Sequence, residues 1–502
     1  MGATSRSAPQ YPLRPHPHLY EINTWAWLEE LSARLGRPIK LADVPDSEWD
    51  ALAKLGFDVV WLMGVWTRSA ESRQVALADP ANRAQYDLAL PGWTPDDIVG
   101  SPYAVAKYVP DLRVGTWDSL DRVREKLHAR GMALFLDFVG NHTALDHPWV
   151  RDHPDYYVQC TPEDFQREPS NFFRVDTLRG TFFLALARDP YFPPWKDVAQ
   201  LNHFSRQMRA AQLADLRAIS DHCDGVRCDM AMLHLNDIFA KLWSKFLNTA
   251  SPPDREFWAE AHEAVPGFIL LAEAYWGTEQ RLLDLGFSFV YDKGLYNSVR
   301  DVQVEDLHTR LRAPLSLQSC FVRFLENHDE ARCPAVFGKD RLFSVGTLMG
   351  TLPGMRFYHQ GELDGCRVHL PITLRIAANE APDSSTAAFF SKTLRISSDD
   401  VFHRGVWNLL SVTHEGDATS GNLVVYEWRL EKSWKVIAIN LVGYASQGRV
   451  HFGEGSLPAT EYLFYDELND ARYVRASDEL RSAGLFLRRE GFGVHLFEVT
   501  PL

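Results

Sequence analysis

Eight short apolar runs, separated by amphipathic helical stretches, restrict this chain to an α/β architecture. They are YEINTW from Tyr20, FDVVWLMGVW from Phe57, MALFLDFV from Met132, DGVRCDMA from Asp224, FILLAEAYW from Phe268, FSFVYDK from Phe287, CFVRFLENHD from Cys320 and MRFYHQG from Met355. The intervening stretches have helical period: in WDSLDRVREKLHARG, Leu120, Val123 and Leu127 form one stripe and Gly131 follows the last turn as a stop. Eight strand–helix units predict a closed (β/α)8 barrel. An open doubly wound sheet is the runner-up, disfavoured because the chain has neither a GxGxxG nor a P-loop. Two regions break the rhythm. From Thr143 to about Asn202 the chain is rich in Pro, Asp, His and aromatics with little periodicity, which reads as an excursion inserted after the third strand. Beyond roughly residue 400, NLVVYEWRL and WKVIAINLV alternate with period two, so a small antiparallel β-domain is expected. The expected organisation is an N-terminal extension at 1–18, the barrel at 19–142 and 203–400, a loop-rich inserted domain at 143–202 and a β-sandwich at 401–502.

Bulk properties exclude several classes of function. With 46% hydrophobic and 12% aromatic residues over 502 positions, the chain can bury a large core. Its net charge of −14 opposes binding to nucleic acid or to an anionic membrane and favours a neutral partner. Cys160, Cys223, Cys228, Cys320, Cys333 and Cys366 form no CxxC pair and no metal spacing with histidine, and read as reduced core thiols. The opening MGATSRSAPQYPLRPHPHLY lacks an apolar signal region, and no run of about 18 apolar residues follows, so the expected compartment is the cytoplasm.

One strand carries an expensive feature. In GVRCDMAML, Arg227 and Asp229 are two residues apart and share a strand face, inside an otherwise apolar run. An isolated Arg-x-Asp reads first as a structural ion pair, yet burying two charges costs several kcal/mol per ion after relaxation, so stability alone is a weak reason for it. The other reading is a carboxylate kept ionised for chemistry by its arginine. Other strand ends weigh on the choice. The third run ends at Asp137, followed by Asn141 and His142; the fifth ends at Glu273; the seventh ends at Glu326, Asn327, His328 and Asp329. In a (β/α)8 barrel all C-terminal strand ends converge on one face, where such enzymes place their chemistry. Acids recurring there have a common cause.

These segments resemble, in order and spacing, the sequence regions of the α-amylase superfamily of glycoside hydrolases: DFVGNH at Asp137 to His142, GVRCDM at Gly225 to Met230, the glutamate of LLAEAYW, and FLENHD at Phe324 to Asp329, with AQLN at Ala199 to Asn202 similar to a weaker fifth region. The resemblance implies a TIM barrel with a C-terminal β-domain and a retaining double displacement on α-glucosidic bonds. It makes Asp229 the nucleophile, Glu273 the general acid/base and Asp329 the third acid at the transition state. Arg227 would hold Asp229 ionised and aimed, and the apolar strand before Glu273 would favour its protonated form. His142, His328 and Tyr103 are similar to residues that contact the reacting sugar, Asp137 to a structural acid beside Arg227, and Trp195 and Trp276 are candidates for further sugar contacts.

Departures from the family pattern bear on specificity. Many starch-cleaving members have Lys-His where this chain has Met232 and Leu233, and many exo-acting members have Asp where it has Ala104. Both favour a short α-glucoside or glucosyl donor over starch, with transfer to a sugar or small polyol competing with hydrolysis. Asn141 resembles a calcium ligand of many amylases, but no cluster of oxygen ligands accompanies it, so no metal and no cofactor are expected. A catalytically inactive glycan-binding or scaffold relative is the alternative, opposed by the intact Asp229, Glu273 and Asp329.

Overall fold

A computed structural model of the chain describes residues 11–247, 251–453 and 457–502. The expected N-terminal extension therefore lies partly outside the described residues. Eight parallel strands form a closed barrel: β1 His18–Asn23, β2 Val59–Met63, β3 Ala133–Phe138, β4 Gly225–Cys228, β5 Ile269–Ala272, β6 Phe289–Tyr291, β7 Phe321–Arg323 and β8 Met355–His359. Seven lie within their apolar runs, and β1 starts two residues before its run, at His18. Parallel strands covered on both faces should be apolar throughout. β2 and β3 are buried at every position, with Asp137 the one charged residue of β3. β4 opens on Gly225 because a Cβ there would meet the Phe135 ring at 2.7 Å and the Ile269 carbonyl at 2.8 Å.

The helices follow the stripes read from sequence. Trp117–His128 is capped by the Thr116 side chain, which accepts from the Ser119 amide, and it buries Leu120, Val123 and Leu127. Burial of each such side chain is worth about 1.5–3 kcal/mol. Gly131 beyond its end has φ 76°, a left-handed conformation that glycine adopts without strain.

Between β3 and the helix Arg206–Ser220 lies the excursion. Its ends, His142–Ala144 and Val198–Gln200, pair antiparallel, and a hairpin of Phe172–Thr177 with Gly180–Ala185 lies between them. A second excursion, between β2 and β3, carries two short helices, Ala70–Ala78 and Pro80–Ala89. Among the described residues, no helix is long and apolar enough to cross a membrane.

The C-terminal region is antiparallel. Val406–Leu409, Leu423–Leu430, Ser433–Asn440, Val494–Pro501, Glu461–Asp466 and Ala471–Ala476 form, in that order, one six-stranded sheet; Ser411–Thr413, Ser446–His451 and Leu485–Arg489 form a three-stranded one. A core of its own includes Leu423, Val436, Phe464 and Phe497. The other side of the larger sheet belongs to the main core: Tyr426, Trp428, Ile437 and Leu496 join the same apolar cluster as the barrel strands. Polar contacts follow the same path, with the Trp428 indole donating to the Thr351 carbonyl at 2.7 Å and the Tyr426 hydroxyl 2.6 Å from Thr351 Oγ1.

Candidate active site

β4 stops at Cys228, and the chain turns at once: Asp229 is followed by Met230 with φ 44°, a left-handed conformation uncommon outside glycine. That turn aims the Met230 amide at the end of β5, where it donates to Glu273 Oε2 at 2.7 Å. Arg227 joins the two strand ends, with one guanidinium nitrogen 2.6 Å from Asp229 Oδ1 and the other 2.8 Å from Glu273 Oε2. All three side chains are buried. The guanidinium is boxed by the rings of Tyr103, Trp61 and Tyr291, at 5.1, 5.6 and 5.8 Å.

One cation between two carboxyls compensates one negative charge, so a proton on one of the pair is favoured. Burial raises both carboxyls above their ordinary values, and Arg227 opposes the rise in each. The charge of Asp329 raises both further, and that of Asp229 adds to the rise of Glu273. Tyr275, fixed by its own hydrogen bond of 2.7 Å, donates to Glu273 Oε1.

Across the mouth, the segment after β7 places His328 and Asp329. His328 Nε2 lies 3.0 Å from Asp329 Oδ2 and 2.8 Å from the Tyr103 hydroxyl; its Nδ1 lies 2.5 Å from Glu21 Oε1, on β1. Burial would lower the imidazole, but Asp329 and Glu21 outweigh it and hold His328 well above the usual histidine range. Enclosure disfavours the Asp329 charge, yet His328 and Arg227 hold that carboxyl well below the usual range.

His142, after β3, lies 4.0 Å from Asp229 Oδ2. Asn141 Nδ2 lies 3.2 Å from its Nδ1, and its Nε2 lies 3.1 Å from the Tyr103 carbonyl, contacts that fit a neutral ring protonated on Nε2. Burial lowers His142 to about 4, in keeping with a neutral ring. The Asn141 carbonyl oxygen is engaged by Gln200 at 3.1 Å and His203 at 3.3 Å, so the AQLN segment serves to hold Asn141. Asp137 accepts from the Gly64 amide at 2.7 Å and the Trp61 indole at 3.1 Å, tying β3 to β2.

Asp229, Glu273, Asp329, Tyr103 and His142 line one cavity of about 420 Å³. Trp195 lines it too and meets His142 edge-on at 5.3 Å. Trp276 does not: it is 40% exposed and packs on Tyr191. Two positions where the chain departs from the family pattern lie away from the cavity. Met232 and Leu233 are buried in the short helical turn Ala231–His234, so neither faces the cavity; Met230 lines it instead. Ala104 offers no surface to a ligand, because it is fully buried with Ala106, Ala144, Ala187 and Val198 beneath Trp195.

The far wall was not legible in the sequence. Asp79 and Asn82, from the excursion between β2 and β3, face Lys196 and Asp197, from the excursion after β3, and Thr373. Lys196 Nζ lies 3.2 Å from Asp79 Oδ2, and Ser72 Oγ donates to Asp197 Oδ2 at 2.6 Å. Glu21 and Tyr275 were also missed. A buried acid within YEINTW carries the signal that singled out Asp229, whereas Tyr275 has none beyond its nearness to Glu273.

Comparison with known proteins agrees with this geometry. Residues 47–408 match the family model for the α-amylase catalytic domain. The chain is 24% identical over 402 residues to α-amylase MalA of Haloarcula japonica, covering 78% of this chain and 51% of that protein. It is 25% identical over 379 residues to an oligo-1,6-glucosidase of Halalkalibacterium halodurans, covering 64% and 61%. It thus spans about half to three fifths of the length of these relatives. Among solved structures, a maltogenic α-amylase of Thermotoga neapolitana superposes with a TM-score of 0.68 at 17% identity, over 97% of this chain and 99% of that one.

Proposed function

The chain belongs to the α-amylase family, and from that premise we propose that it cleaves α-glucosidic bonds with retention, by double displacement. The observation that carries this reading is the single guanidinium of Arg227 shared by Asp229 and Glu273. Two carboxyls on one guanidinium favour the short separation, about 5–5.5 Å, of retaining enzymes over the ~6.5–9.5 Å of inverting ones. Asp229 attacks the anomeric carbon while Glu273 gives its proton to the leaving oxygen; Glu273 then takes a proton from the incoming water or sugar hydroxyl, which displaces Asp229. Asp329 stabilises the positive charge that develops on the ring, and Tyr103, His142, His328 and Arg227 position the sugar or the nucleophile. The barrel segments 19–142 and 203–400 carry this chemistry, and 143–202 shapes the donor end. No step calls for a metal or cofactor.

The donor is short. At about 420 Å³ the cavity sits low in the ~300–1,000 Å³ range of small-ligand sites, and Asp79 and Lys196, 3.2 Å apart, are among the residues that line it. The lining holds Asp79, Asp197, Asp229, Glu273 and Asp329 against one lysine, which favours an uncharged glucosyl donor over a sugar phosphate. A glycan-binding protein without chemistry would gain nothing from a buried cation between two carboxyls. Reduced thiols at Cys160, Cys223, Cys228, Cys333 and Cys366 suit the reducing cytoplasm.

The test is an initial-rate assay on maltose, maltooligosaccharides, sucrose, trehalose and starch, with and without added polyol, reading product anomers by NMR. Retained configuration on a short donor is expected. Inverted product, or rapid random cleavage of starch without transfer, would overturn the reading.

A further inference from the structure

Glu21 is a buried carboxylate that the displacement above does not use. It sits on β1, fully shielded from solvent, in register with Trp61 of β2 on one side and His359 of β8 on the other. Its Oε1 lies 2.5 Å from His328 Nδ1. Its Oε2 has no hydrogen-bond partner among the described residues, and His359 Nε2 is 3.9 Å away. His359 is itself committed to Glu326, at 3.2 Å, and Glu326 is in turn held by Arg332 at 2.6 Å. A carboxylate this enclosed, with one half-satisfied oxygen, is costly unless the charge beside it is needed.

We propose that Glu21 is a positioning residue of the active site: from the barrel interior it holds His328 as an imidazolium, with Nδ1 turned inward and Nε2 turned to Asp329. Both ring nitrogens must then donate, Nδ1 to Glu21 and Nε2 to Asp329 and the Tyr103 hydroxyl, which fixes the ring. The other groups around His328 are Asp229 and Asp137, whose charges it senses, the Trp61 ring at 5.6 Å, and His369, whose Nε2 lies 2.9 Å from its carbonyl. The charge count shows what the arrangement achieves. Arg227 and His328 carry two positive charges, while Glu21, Asp137, Asp229 and Asp329 carry four negative ones when Glu273 is protonated. The resting site is left two units negative, and the positive charge developing on the sugar ring offsets one of them. A neutral His328 would leave Asp329 and Glu21 uncompensated before the substrate arrives.

The catalytic consequence rests on the proposed function, but the protonation state can be read without turnover. Histidine ring ¹⁵N spectra of the full chain, with His328→Asn identifying the signal, should show His328 protonated on both nitrogens at neutral pH and releasing a proton only above the ordinary histidine range. Glu21→Gln keeps an acceptor for Nδ1 and removes the charge; with Asp329 alone beside it, its His328 should release that proton at lower pH than in the wild type. At neutral pH its kcat should fall roughly tenfold or more with KM changed less than about threefold, because Asp329 is held less firmly by His328 at the transition state. Glu21→Asp, which keeps the charge, should recover part of both signals. A neutral His328 in the wild type near pH 7 overturns the proposal, even if no variant folds. So does an unchanged imidazolium in a folded Glu21→Gln. If the wild type turns over no α-glucoside while His328 is charged, the functional reading has failed and this one stands.

Discussion

Two ion-pair clusters face each other across the barrel mouth, and they keep their charges by different means. At the ends of β4 and β5 the cation is Arg227, a planar fork that stays charged at any pH the protein meets and bonds Asp229 and Glu273 with separate nitrogens. Between β7 and β1 the cation is His328, which is charged only because Asp329 and Glu21 flank it. For the proposed double displacement the first cluster must present one ionised and one protonated carboxyl, so it needs a fixed charge to divide between them. The second supports a single exposed acid, for which a ring that can be tuned is sufficient. The lesson is that burial alone does not set the state of these acids. Asp229 and Asp329 face the same cavity, yet burial raises one and its neighbours depress the other.

The comparison breaks most visibly at Asp229, the proposed nucleophile. Asp229→Ala should lower kcat by roughly four orders of magnitude or more with the fold intact by circular dichroism, because no covalent step remains. Near-normal turnover would refute the assignment. Arg227→Met should cost about 3–5 kcal/mol in urea unfolding, since it leaves two buried carboxyls without their cation. Glu273→Ala should lose roughly 10²–10⁴ in kcat on natural donors, while an aryl or fluoride donor, whose leaving group needs no proton, keeps a near-normal first step in stopped-flow.

The pH response separates the clusters more finely. A histidine whose folded value is raised contributes stability that is fully present below its ordinary value of about 6.5 and lost as pH rises through the folded value. Asp329, depressed, contributes above its ordinary range and loses that contribution as pH falls. The stability gap between wild type and His328→Gln should therefore narrow on the alkaline side, by up to about 1.4 kcal/mol per pH unit, while the gap to Arg227→Met stays flat. The smallest expected effect is at the far wall. Lys196→Ala should change stability by less than about 1 kcal/mol, because its partner contact is exposed, yet it should raise kcat/KM for longer donors relative to maltose.

Much of this was legible in the sequence, for reasons that differ from place to place. The barrel strands announced themselves because both of their faces are covered, which makes them continuous apolar runs bounded by helical period. The site acids stood out against those runs: Asp229 and Glu273 are charges where hydrophobes were due, and Asp329 ends the run from Cys320. Glu21 sends the same signal inside YEINTW but has no acid or base beside it in sequence, and its partner lies 307 positions away. The surroundings of Met232 were not legible, because the left-handed Met230 ends the strand and a helical turn rotates Met232 into the core. The Asp79–Lys196 contact joins two excursions 117 positions apart, and no local pattern encodes such a meeting.

The shared core of barrel and C-terminal sheet makes that sheet a poor subject for modular engineering. Tyr426, Trp428, Ile437 and Leu496 lie in the barrel's own apolar cluster, and Trp428 and Tyr426 are both bonded to Thr351, the last residue of the helix before β8. Cutting the chain where the barrel ends would strip the cover from that helix rather than release an appendage. A chimera that exchanges this region with a relative must carry over the inner face of the six-stranded sheet unchanged, and is free to vary only the layer around Val436, Phe464 and Leu487 that faces away from the barrel.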